Sequence, residues 1–327
     1  MRRPLLAALL LSAAPAWAEV PRVLADTAPV HSLVAMVMGD LGSPELIVPP
    51  GTSPHDASLS PSEARRLTEA NLIVWTGDAF LPWMGESIAS LAPDTPALAL
   101  LEAEGWEPLP LRAGAHLGGH DHDHDEGHEH DEQEHGEHEH EHGDEQADHE
   151  HEAGAAVDPH AWLDPAVAAS WLGLIGDALA EADPGNAETY RANAQAASAR
   201  VGAMGEDLRA RLSPLGGTGY AVGHDAYQYL ERAMGLPANW AVRDASGAEP
   251  APRDVAGLRD AVAAGEVGCL LLDAETDPTW AETLAEGAAL RTATVDPDGV
   301  FLEPGPELYP QLMETLAAAL GTCLAPA

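Results

Sequence analysis

"SPSEARRLTEANLIVWTG", residues 60–77, sets a helix directly against a strand. Ser60 is followed by Pro61 and, three residues on, by Glu63. In that order a hydroxyl caps the first turn, proline takes the first helical position and the glutamate reaches back to the cap. The helix should run to about Ala70, and the apolar stretch 71–76 reads as the clearest strand in the chain. The flanking sequence repeats the pair. Residues 22–27 read as a strand, Val30, Leu33, Val34 and Val37 recur at helical spacing, 45–48 is a second short strand, and a helix near 80–91 precedes a strand at 97–101. Regular βα alternation implies a parallel sheet covered by helices.

The C-terminal part has the same rhythm. Strands are expected at 218–223, 239–242, 267–272 and 292–295, separated by helices near 225–235, 252–264 and 278–290, with a last helix at about 306–320. The fold class is therefore α/β, with one βα lobe over 19–115 and another over 214–327. Between them lie a His- and acid-rich stretch (116–155), a helical segment closing the first lobe (156–183, begun by Asp164-Pro165) and a linker helix (184–213, begun by Asp183-Pro184). A helix of that length would extend about 40 Å, a rigid beam rather than a flexible tether.

At the N-terminus, Arg2 and Arg3 precede the apolar run 5–11 and then Ala16-Trp17-Ala18, the order of a secretory signal peptide, here 1–18. No cysteine stands at the cleavage point and no later apolar run would span a bilayer, so a soluble exported protein is expected. What remains is long enough for two domains. The 15 basic residues are all arginine and the net charge is −39, which excludes nucleic acid as a natural partner. Cys269 and Cys323 are the two cysteines. In an oxidising compartment a single disulfide is favoured over a metal pair, with two buried thiols as the alternative, and their separation rules out a CxxC ligand knuckle.

The stretch 116–155 contains "HDHDHDEGHEH" (120–130) and carries almost no apolar residue, so it is expected to be a disordered insertion. His120, His122, His124, His128, His130, His135, His138, His140 and His142 alternate with carboxylates, a composition suited to zinc, copper or nickel. Wrapping an ion costs a floppy chain entropy, so these sites should be weak and accessory.

Few histidines remain elsewhere. His55 lies in the loop after the second strand, His160 in "DPHAWLDP" just before a helix, and His224 ends a strand in "GYAVGHDAYQYL". Asp273 ends another strand, with Glu275 as a weaker alternative. Ligands in open α/β sheets collect beyond the carboxyl ends of strands. Two residues from each lobe could then meet in the cleft as a three-His, one-carboxylate tetrahedron suited to Zn2+. The plain alternative is four ordinary loop and cap residues. Asp225 is read either as orienting a ligand ring or as a helix N-cap. His31, Trp162 and Trp240 are read as structural.

The contexts "PPGTSPHDASLSPSEARRLTEANLIVWTG", "DPHAWLDP" and "GHDAYQYLERAMGL" resemble the three metal motifs of the periplasmic metal-binding proteins of ABC importers, specifically the zinc-binding ZnuA type within the cluster A-I family. The likeness covers essentially the whole chain after the signal, including an acidic His-rich insertion between the first two motifs. It implies two (β/α)4 lobes joined by a long backbone helix, with zinc in the interlobe cleft. His55, His160 and His224 fall on its histidine positions and Asp273 on its acidic fourth, where a water can also serve. The resemblance further implies a Cys269–Cys323 disulfide, a periplasmic monomer, and a membrane permease with its cytoplasmic ATPase as partners. One departure is Pro54, where some relatives carry a glutamate that completes the coordination. Manganese-type relatives usually carry a carboxylate at position 224, so the third histidine favours zinc. The protein should then be a binding component and not an enzyme. A zinc hydrolase, a manganese-type binding protein and a periplasmic zinc buffer are the competing readings.

Overall fold

The computed structural model describes residues 20–112, 156–215, 219–237, 240–245, 248, 250–273 and 276–325. The signal-like leader and the nine loop histidines named above lie outside the described residues, as does Glu275. Compactness divides the chain into unit 1 (Met1–Gly105, Pro165–Met204 and Asp298–Gln311) and unit 2 (Trp106–Asp164, Gly205–Pro297 and Leu312–Ala327).

Unit 1 is built on strands β1 (Val23–Ala25), β2 (Glu45–Leu46), β3 (Leu72–Trp75) and β4 (Ala97–Ala99), with helices α1 (Ala28–Met38), α2 (Pro61–Glu69) and α3 (Pro82–Leu91) following the first three. All four strands are parallel, in the order β2-β1-β3-β4. The capping box that opens α2 forms as its sequence dictates. Ser60 Oγ accepts from the Glu63 N–H at 3.3 Å and the Glu63 carboxylate accepts from the Ser60 N–H at 2.6 Å. Every side chain of β3 is buried, as a central parallel strand covered on both faces requires. Helix α4 (Pro165–Ala182) packs on α1, and Ala168, Trp171, Leu172, Ile175 and Leu179 form a buried i, i+3, i+4 stripe along it. His31 is buried in α1 and its Nε2 donates to Pro44 O at 3.0 Å, the structural role expected of it.

After α4 comes α5 (Ala187–Leu212), an unbroken helix of 26 residues entered through a 3-10 turn at Pro184–Asn186. The division between the units falls within it. Unit 2 repeats the plan with β5 (Gly219–His224), α6 (Gln228–Met234), β6 (Trp240–Arg243), α7 (Pro252–Ala263), β7 (Val267–Leu272), α8 (Thr279–Ala285), β8 (Arg291–Thr294) and, from Leu312 onward, α9 (Leu308–Leu324). Its strand order, β6-β5-β7-β8, is again all parallel and copies that of unit 1. Ala221, Val242, Leu258, Val262, Leu270 and Leu284 form its core. Cys269 on β7 and Cys323 on α9 are joined as a disulfide. Helix α8 is shorter than its sequence pattern suggests. Glu286 and Gly287 both take positive φ (36° and 93°) and end it five residues before Leu290. No helix among the described residues is long and apolar enough to cross a membrane.

Candidate metal centre

An open parallel sheet collects ligands where its strand order reverses, outside the carboxyl ends of the strands. In unit 2 that point lies between β5 and β7, where β5 delivers His224 as its last residue and β7 is followed at once by Asp273. The two side chains meet there, with His224 Nδ1 at 3.3 Å from Asp273 Oδ2. Thr276 Oγ1 donates to the other carboxylate oxygen at 2.6 Å. A Cβ on Gly223 would collide with that threonine, so glycine is what lets β5 pass beside it.

His160 comes from the first of the three stretches that make up the same unit. It precedes a 3-10 turn (Ala161–Leu163) and is fully buried. Its ring lies edge-to-face on that of His224, with centroids 5.0 Å apart, and on that of Trp162 at 5.4 Å. Trp162 Nε1 donates to Pro297 O at 3.0 Å, so this indole packs and anchors, as its reading as structural implied. One oxygen of Asp158 accepts from the His160 N–H at 3.0 Å and sits 2.9 Å from its Nδ1. Burial lowers the His160 pKa well below its usual value, and the neighbouring His224 lowers it further. The ring is thus held neutral, the form in which imidazole has a lone pair to give. Burial pushes the Asp158 carboxyl up to about 7 against the opposing pull of the His160 N–H and Arg112.

Asp225 follows His224 and is buried. Its backbone N–H donates to Arg243 O at 3.0 Å, and its carboxylate is clasped by the Arg112 guanidinium through Nη2 and, at 3.0 Å, Nε. Tyr227, not Asp225, stands at the N-cap of α6.

In unit 1, His55 lies on a 3-10 turn (Pro54–Asp56) in the loop after β2. It is exposed, its N–H donates to Ser53 Oγ at 3.2 Å, and its ring meets Phe80 edge-on at 5.0 Å. The switch point of unit 1, between β1 and β3, is filled otherwise. Asp26 accepts from the N–H groups of Thr27 (2.7 Å) and Thr76 (2.6 Å) and is fully buried. Asp158, Arg112 and Thr276 were not singled out from sequence. Asp158 stands in the quoted "DPHAWLDP", and an aspartate two residues before a candidate ligand is a usable local signal. Arg112 and Thr276 carried none.

Two parallel α/β units of matching strand order, one with a buried pair of carboxylate-backed imidazoles at its switch point, make a two-unit α/β protein with donors suited to a metal ion. The chain belongs to the ZnuA family, the periplasmic component A of zinc-uptake complexes, whose model matches residues 23–323. It is 42% identical over 321 residues to the high-affinity zinc uptake system protein ZnuA of Paracoccus denitrificans, covering 98% of this chain and 97% of that protein. With the protein of the same description from Brucella abortus it shares 37% identity over 304 residues, 92% of this chain and 91% of that one. Among solved structures, a ZnuA crystal structure matches with a TM-score of 0.71 at 20% identity, covering 93% of this chain and all of that one. Membership of this family makes the chain a transport component and not an enzyme.

Proposed function

We propose that this protein captures Zn2+ with high affinity in the periplasm through His55, His160 and His224, with Asp273 at the fourth position. It then hands the ion, as a monomer, to a membrane permease driven by a cytoplasmic ATPase. The observation that carries the reading is the buried His160–His224 pair, each ring with Nδ1 beside a carboxylate. Asp158 beside His160 Nδ1 fixes the tautomer of that ring and leaves its Nε2 for the metal, whereas the carboxylate beside His224 is itself the proposed fourth ligand. Three neutral imidazoles and one oxygen suit zinc better than a hard ion such as manganese. The His- and acid-rich segment is an accessory collector, and the leader 1–18 directs export.

A competitive zinc titration against a high-affinity chelator tests this, with the full chain compared with one lacking residues 120–151. One tight site should survive the deletion and vanish in His55→Ala and in His224→Ala. Asp273→Ala should weaken it if the carboxylate fills the fourth position, and leave it unchanged if water does. Loss of all tight binding on deletion would move the function to the segment itself.

A further inference from the structure

The residues that bracket the His- and acid-rich segment are paired with each other. Pro110 and Val157 form an antiparallel bridge, Leu111 N–H donates to Ala156 O at 2.7 Å, and Asp158 N–H donates to Leu109 O at 2.8 Å. Arg112, two residues after Pro110 in the same unit, reaches the turn after β5 and α6. Its side chain is 13% exposed, and it bonds both Asp225 and Glu231, whose side chains are 1% and 5% exposed. Glu231 is held in turn by Tyr220 Oη at 3.1 Å, on the strand that ends in His224. On the second strand, Asp158 holds His160. The Gln228 amide, turned so that its nitrogen meets acceptors, donates to Asp158 Oδ2 and to Pro110 O at 3.1 Å each, and so ties both strands to α6.

We infer that this strand pair is part of the metal site's scaffold and that Arg112 is a positioning residue for zinc binding. It acts on His224 by clasping the carboxylate of the next residue, Asp225. The inference rests on the proposed ligand set. The planar guanidinium meets Asp225 through two nitrogens and Glu231 through a third, so it fixes the turn after β5 in direction as well as in charge. A lysine would keep the charge and lose the fork. Metal–nitrogen distances tolerate only about 0.2 Å, so a turn free to rock translates directly into weaker binding.

The test uses Arg112→Lys and Asp158→Asn in the full chain, each titrated with zinc against a high-affinity chelator and with Co2+ as a spectroscopic probe. Thermal unfolding is followed in parallel. Each variant should bind zinc about 10- to 100-fold more weakly and show a changed Co2+ ligand-field spectrum. The midpoint of unfolding of Asp158→Asn should stay near that of the parent. Parental zinc affinity and spectrum in both variants would overturn the inference, whatever the unfolding temperature. Should Arg112→Lys fail to fold, Asp158→Asn decides alone. His160→Ala separates the two levels. If it too leaves tight binding intact, the ligand set is wrong; if it alone abolishes binding, only the positioning role fails.

Discussion

At the residue scale, His160, His224 and Asp273 stand at element ends that the sequence marks, whereas Asp158 and Arg112 were not singled out. A histidine just before a helix or at a strand end is visible in "DPHAWLDP" and "GYAVGHDAYQYL". The groups that make those rings useful reach them through space. Asp273 is 49 residues from His224, and Arg112 is 113 from Asp225, so no spacing rule connects them. Asp26, at the matching switch point of unit 1, offers a cleaner test of what burial does there. Burial lifts its carboxyl from the ordinary 3.8 to about 6, against hydrogen bonds from Thr76 and Thr27 that pull it down. A raised folded pKa means that the folded state holds the proton more tightly than the unfolded chain. That stabilising contribution is complete below about pH 3.8 and is lost as pH rises past 6. Measured by urea unfolding, the parent should therefore lose about 2 to 3 kcal/mol relative to Asp26→Asn between pH 4 and pH 7. A difference between the two proteins that stays constant over that range would mean that Asp26 is better solvated than its burial implies.

At the element scale, strands were read almost to the residue where composition and punctuation agree. The expected 267–272 is β7 as found, and the expected 71–76 contains β3. Errors fell at helix ends set by backbone conformation. The helix expected over 225–235 starts only at Gln228, because Asp225 and Ala226 form a turn bonded to Arg243 and His224. Likewise α8 stops early at a left-handed Glu286 that no residue preference announces. Packing between helices is also silent in sequence until a glycine marks it. On α4, Gly176 faces Ala194 of α5 so closely that an added Cβ would lie 2.6 Å from the alanine methyl. Gly176→Ala should gain about 1 kcal/mol of helix propensity and lose about 1 to 3 kcal/mol to overpacking, a net loss of stability. Adding Ala194→Gly removes the opposing methyl, so the double variant should recover most of that loss. A double-mutant cycle by chemical denaturation measures the coupling, and simple additivity of the two changes would show that the helices do not meet there as described.

At the scale of the whole molecule, the two matching sheets were implicit in the βα alternation. Which compact unit residues 106–164 join is not, because alternation counts elements without saying where a segment outside the alternation packs. Charge is the property of the whole chain that sequence gives outright, and it bears on how the proposed collector and the proposed site divide the work. With a net charge of −39, the molecule attracts cations over a distance set by the salt around it, about 30 Å at 0.01 M and about 8 Å at 0.15 M ionic strength. Zinc held loosely by alternating histidine and carboxylate depends on that diffuse field. Zinc held by His160 and His224, buried among their own partners, is screened far less. Equilibrium dialysis of the full chain should thus show several loosely held zinc ions at low ionic strength, most of them lost at 0.15 M, while one tightly held ion remains. The chain lacking residues 120–151 should retain about one ion at both salt concentrations. Equal loss of the tight ion with salt would place it in an exposed acidic environment and separate high-affinity binding from the buried histidine pair.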